Sequence, residues 1–154
     1  MSLLETALFK KLALAIFLVI LSGFIIFFIF NKEKSQTLRK LKIDGTTINV
    51  ETAANHNQKR QGLSERNYLP EKQGMLFMED EPQIINIWMK DMRFAIDIIW
   101  IDENFKIIYI AADVQPDSFP KIFSSPKPAQ YVLEVNAGFA KKNNIKIDDK
   151  IELQ

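Results

Sequence analysis

Past residue 40 the chain alternates apolar and polar positions in short runs, and the spacing of those runs predicts a β-rich domain. "LKIDGTTINVETA" opens it, with Asp44-Gly45 between two alternating segments, the signature of a tight hairpin whose turn needs positive φ. "ETAANHNQKRQGLSERNYL" predicts one short helix with Thr52 as its N-cap and Gly62 at its C-terminus. "GMLFM" (74–78) and "IINIW" (84–88) read as strands parted by an acidic turn, Glu79 to Pro82. "FAIDIIWID" and "FKIIYIAA" form a second hairpin with both faces apolar, which predicts a central position. Residues 113–128 hold four of the six prolines and predict a long crossing loop; "QYVLEV" returns as a strand, "NAGFAKKNN" as a brief helix and "IKIDDKIEL" as a turn and last strand. The fold class that follows is mainly β, or α+β: a small curved, mostly antiparallel sheet or partly closed barrel with two short helices.

A different pattern precedes this domain. From Leu12 to Phe30 no charge occurs for nineteen residues, a stretch that as a helix measures roughly 28 Å, close to the hydrocarbon thickness of a bilayer. Lys10 and Lys11 before it and Asn31 to Lys34 after it place polar groups at both ends. No A-x-A pattern follows, so an uncleaved anchor is expected rather than a removed signal peptide. The expected organisation is a flank (1–11), a transmembrane helix (12–30), a polar tether "NKEKSQTLRK" (31–40) and one globular domain (41–154). The positive-inside count alone leans toward a cytoplasmic domain, whereas an N-terminal anchor followed by one domain is more often a device for export; a single-pass protein with its domain outside the cytoplasm is the expectation adopted.

Charge and composition narrow the chemistry. Residues 1–40 carry six Lys/Arg against two acids, whereas 41–154 carry fourteen against seventeen, so the domain is mildly acidic and has no nucleic-acid footprint. There is no cysteine, which removes disulfides, thiolate nucleophiles and zinc–thiolate sites. The only histidine, His56, lies among Asn and Gln and reads as solvated. No metal-ligand spacing, phosphate loop or catalytic serine motif occurs, and neither a cofactor nor a metal is expected.

The polar residues inside the apolar runs are the candidates. Asp97 shares a strand face with Ala95, Ile99 and Ile101, and a buried carboxylate there calls for a cation, with Arg60, Arg66, Lys90 and Arg93 available. Glu134 interrupts another strand, sharing a face with Val132 and Asn136. Two readings follow: a structural polar cluster of Arg66, Lys90, Asp97 and Glu134, or an acid–base pair of Asp97 and Glu134 with Lys90 or Arg66 stabilising charge. Trp88, Met89, Met92, Phe94 and Trp100 make an aromatic and thioether neighbourhood that suits either the core or an apolar groove.

Taken in order, "KRQGLSERNYL", "GMLF", "WMK…IDIIWID", "SSPKPAQYVLEVNAG" and "NIKIDDKIEL" resemble the domain of unknown function 192 family, also described as uncharacterised conserved membrane proteins, over about residues 47–153. The matching positions are Gly62, Leu63, Arg66, Gly74, Met75, Phe77, Trp88, Met89, Lys90, Asp97, Leu133, Glu134, Ala137 and Gly138. The resemblance implies a small β-rich domain, exported or anchored, with no established reaction or ligand. Asp91-Met92, Ala95, Ser64 and Asp148 stand where the family more often has Asn-Thr, Pro, Met and a turn Gly. The candidate pocket lining is Met75, Phe77, Trp88 and Met89. The function expected is a non-catalytic binding or accessory module of the cell envelope, held to the bilayer through residues 12–30, with a small ligand or an envelope protein as partner. A carboxylate-dependent hydrolase of envelope material and a structural protein-interaction domain are the alternatives.

Overall fold

The computed structural model describes residue 11, residues 13–24 and residues 38–154. The chain divides into two compact units, Met1–Ser35 and Gln36–Gln154. In the first, residues 13–24 are helical, with their apolar side chains exposed. Among the described residues no helix is long and apolar enough to cross a membrane. Part of the expected span, at residue 12 and residues 25–30, lies outside the described residues.

The second unit is a curled, mostly antiparallel sheet of seven strands with a two-stranded ribbon at its side. Its strands are β1 (Leu38–Ile43), β2 (Thr46–Ala53), β3 (Gln73–Gln83), β5 (Ile96–Ile101), β6 (Ile107–Val114), β8 (Ala129–Asn136) and β9 (Ile151–Leu153), in the order β6-β5-β8-β3-β2-β1-β9. The ribbon pairs β4 (Asn86–Trp88) with β7 (Ile122–Ser124). Among the described strands only β2 and β3 run parallel, joined by a crossover that contains α1 (His56–Gln61). After β8 comes α2 (Phe139–Lys142).

The sheet closes part of the way into a barrel. β9 pairs with β1 along one edge, while the chain entering it reaches the opposite edge: the Ile107 N–H donates to the Asp149 carbonyl at 2.9 Å and the Ile151 N–H to that of Phe105 at 2.9 Å. Both faces are therefore covered. Inside the curl, Leu41, Ile43, Val50, Leu76, Ile99, Ile101, Leu133 and Val135 form one core. On the outer face, Ala53, Met75, Phe77, Ile98, Trp100 and Val132 pack beneath α1, the loop after it and the ribbon.

Several local expectations hold. Asp44 (φ 42°) and Gly45 (φ 83°) make the first hairpin turn, and Gly62 ends α1 at φ 51°. Others are corrected. The N-cap of α1 is Asn55, not Thr52: its side chain accepts from the Gln58 N–H while the Gln58 side chain accepts from the N–H of Asn55, a reciprocal capping box. Thr52 stays in β2, paired opposite Leu76. The acidic stretch after Met78 continues β3 instead of turning, with an irregular register between Met78 and Gln83 and with the Gln130 side chain donating to the Glu79 and Asp80 carbonyls. The β5–β6 hairpin lies at one side of the sheet, not its centre, and its two apolar faces serve the two cores. Residues 38–40, expected in the tether, belong to β1, where Arg39 and Lys40 are exposed beyond the end of β9.

Candidate functional site

Strand alternation sorts the polar candidates to opposite faces. Along β5, Ile96, Ile98 and Trp100 enter the outer core while Ile99 and Ile101 enter the inner one, so Asp97 points inward. Along β8, Val132 is outer and Leu133 and Val135 inner, so Glu134 points outward. The two carboxyl groups are separated by the thickness of the sheet. They are not an acid–base pair acting on one substrate, and the four-residue cluster does not form.

Asp97 is fully buried, and its partners are backbone amides, not the expected cation. Oδ1 accepts from the N–H groups of Asp113 (2.8 Å) and Gly138 (3.1 Å), and Oδ2 from that of Ala140 (2.9 Å). β5 and β6 shift register between Ile96 and Ile98, which takes the Asp113 N–H out of the ladder and offers it to the carboxylate. Gly138 and Ala140 bring the start of α2, a helix with no side-chain cap of its own. Asp97 thus ties a bulge and a helix start to the mouth of the barrel. Three N–H donors satisfy a carboxylate without an opposing charge. Lys90 is exposed, and its carbonyl accepts from the Ser64 hydroxyl at 2.9 Å.

Arg66 and Glu134 do approach one another, together with a residue the sequence pattern passed over. Glu51 on β2 is opposite Met75 on β3, Met75 is opposite Glu134 on β8, and Glu134 is opposite Ile98 on β5, so these four form a row across the outer face. Arg66, from the loop after α1, grips Glu51 with both ends of its guanidinium, Nη1 to Oε1 at 2.7 Å and Nη2 to Oε2 at 2.6 Å. A bidentate fork of this kind holds its planar partners in a fixed relation. Glu134 is 5% exposed. Burial pushes its carboxyl up to about 8, against the smaller opposing pull of the Arg66 charge. No fully buried side-chain oxygen or nitrogen among the described residues is left without a partner. Glu134 lines a recess.

That recess holds about 80 Å³ and is lined by Leu63, Phe77, Ile87, Trp88 and Met92 around Glu134, with Lys59, Arg60 and Asn86 also present. A larger cleft of about 420 Å³ adjoins it, bounded by Thr52, Asn57, Gln58, Glu65, Arg66 and Met75. Gln61, Gly62 and Ser64 line both. Of the four residues expected to line a pocket, Met75 faces the larger cleft and Phe77 and Trp88 the recess, while Met89 is core and lines neither. Gly62 is among the residues that line both spaces. Its φ of 51° is unfavourable for any side chain, and a Cβ there would lie 3.3 Å from Phe77 Cζ.

Among the described residues no group of His, Cys, Asp or Glu side chains is arranged to hold a metal ion.

Comparison with known proteins agrees with the architecture. The sequence profile of the domain of unknown function 192 family, described as uncharacterized ACR, matches residues 39–153. A crystal structure from Sinorhizobium meliloti 1021, of a protein described provisionally as a transcription regulator, is similar at 31% identity and a TM-score of 0.74, covering 79% of this chain and 97% of that one. A protein of unknown function from Novosphingobium aromaticivorans DSM 12444 is similar at 26% identity and a TM-score of 0.73, covering 79% of this chain and 89% of that one. No curated protein matches.

Proposed function

The chain belongs to the domain of unknown function 192 family, and from the geometry of its outer face we propose that it is a non-catalytic binding module of the cell envelope, tethered to a membrane and holding a small polar ligand in the joined clefts. The observation that carries this reading is the buried Glu134 lining a recess that shares Gln61, Gly62 and Ser64 with a larger open cleft. The cleft volume of about 420 Å³ is within the range of about 300–1,000 Å³ common to small-molecule sites. A hydrolytic role for these carboxylates is disfavoured by what each is doing. Asp97 is on the far face, and Glu51 is committed to the Arg66 fork rather than paired with Glu134.

Tethering is supported by the sequence alone: the charge-free stretch from Leu12 to Phe30 suits a single span, with the domain on the extracytoplasmic side. Carbonate extraction of membranes and protease accessibility on intact cells test it. Recovery of untrimmed chain in the soluble fraction would refute the tether. The binding reading is tested by amide NMR of the full chain in detergent micelles against a panel of small polar molecules. Perturbations gathered at Gln61, Gly62 and Ser64 are expected; a response confined to the Asp97 side of the barrel would overturn it.

A further inference from the structure

We infer that the joined clefts accept an uncharged oligosaccharide, one sugar ring resting on Trp88 and an acetamido-sized substituent entering the recess that Glu134 floors. This rests on the binding-module reading and specifies its ligand.

Four features of the outer face point to this class. First, Trp88 is 50% exposed although it borders the recess, whereas Trp100, the other tryptophan, is fully buried with its indole N–H donating to the Ile85 carbonyl at 3.0 Å. An indole left open at a cleft rim offers a flat, electron-rich face to the weakly positive C–H face of a pyranose. Second, Thr52 and Asn57 furnish the larger cleft with hydroxyl and amide groups, and Gln58, Gln61 and Ser64, whose side chains also bond within the chain, add the capacity those bonds leave to match a ring of hydroxyls.

Third, the cationic groups nearest the clefts are largely neutralised from within. Arg66 is forked onto Glu51, and Lys59 is bonded to Glu79 at 2.7 Å. Arg60 in the recess and Glu65 in the larger cleft add one charge of each sign. An anionic ligand would therefore meet little net field. Fourth, the recess combines an apolar wall of Leu63, Phe77, Ile87 and Met92 with one carboxyl group. A methyl beside a carbonyl fits that combination, because the wall takes the methyl and a protonated Glu134 donates to the carbonyl oxygen. The burial that raises the Glu134 pKa to about 8 keeps this donor available at neutral pH.

The test uses the full chain in micelles of a detergent without sugar headgroups, with N,N′-diacetylchitobiose, cellobiose and a tetra-alanine peptide as probes. Trp88 is the exposed tryptophan, so saturable change in intrinsic fluorescence reports its occupancy. Diacetylchitobiose is expected to give such a change, with cellobiose about tenfold weaker or more. Trp88→Ala is expected to abolish it, and saturation-transfer NMR should show binding lost in parallel while circular dichroism is unchanged. Glu134→Gln keeps a donor and should retain the preference for the acetylated sugar; Glu134→Leu should erase it. Equal affinity in Trp88→Ala, or no saturable response to either saccharide, overturns the proposal. Amide NMR separates the two levels: cleft perturbation by the peptide and by neither sugar refutes the ligand class and leaves the binding site standing, whereas silence toward all three probes refutes both.

Discussion

Glu134→Gln should change the pH dependence of stability more than its level at acid pH. In the folded chain the Glu134 carboxyl titrates at about 8, raised from 4.5 by burial. A raised carboxyl pKa means that the native state binds the proton more tightly than the unfolded one. The associated stabilisation is complete below the unfolded value and is lost as pH climbs through the folded one. Between 4.5 and about 8 the span corresponds to an upper bound of about 5 kcal/mol. Entry of water through the recess and movement of the Arg66 charge toward Glu134 lower the realised figure. For a folding unit of this size each kcal/mol moves Tm by about 4 °C. Glutamine occupies nearly the same volume and does not ionise, so it removes the pH term and keeps the packing. Thermal unfolding followed by circular dichroism from pH 5 to pH 9 should show the parent losing ground to the variant by at least about 5 °C across that window. A difference between the two that stays constant from pH 5 to pH 9 would refute the assignment of Glu134 as a buried, neutral acid.

Asp97→Ala strands three backbone N–H groups at the barrel mouth and should cost about 3–5 kcal/mol in urea unfolding; Asp97→Asn, which keeps one acceptor but turns a donor on its neighbours, should cost about 1–3. Arg66→Met removes the charge that lowers the Glu134 pKa, so the pH midpoint attributed to Glu134 should move further up, as read by carboxyl NMR titration. Asn55→Ala should destabilise by about 1 kcal/mol through loss of the capping box, while Thr52→Ala stays within about 0.5, a contrast that calorimetry resolves. Gly62→Ala meets both a positive φ and the Phe77 ring, and denaturant titration should show a loss of about 1–3 kcal/mol.

Legibility in the sequence followed the range of the interaction. The Asp44-Gly45 turn and the Gly62 terminus are decided within a few residues, and both could be read directly. The Asn55 cap was equally local, and its signal was present as Asn55 three residues before Gln58; the competing Thr52 was better used by the ladder to β3. The acidic run after Met78 shows the opposite case. Its composition favours a turn, but β8 supplies the Gln130 amide to its carbonyls, and tertiary pairing overrides local preference.

The charges in residues 86–102 were hardest to read, because burial is visible in a sequence while the identity of the partner is not. Asp97 was correctly placed on a buried face, and the demand for compensation was sound. Its compensation came from the amides of residues 113, 138 and 140, which no side-chain inventory can nominate. Conversely, Glu51 carried no sequence signal beyond alternation, yet it takes the Arg66 fork that had been assigned elsewhere. The consequence reaches the function. Arg66 pairs directly with Glu51 and amides satisfy Asp97, while Glu134 is the buried carboxyl that lines a recess. A sheet whose inner face seals its acid with backbone donors and whose outer face leaves one acid turned toward a cleft assigns stability to the first and recognition to the second. Substitutions at Asp97 should therefore lower stability without altering ligand preference, and Glu134→Leu, which removes the donor that Glu134→Gln keeps, should erase preference in a fold that remains intact.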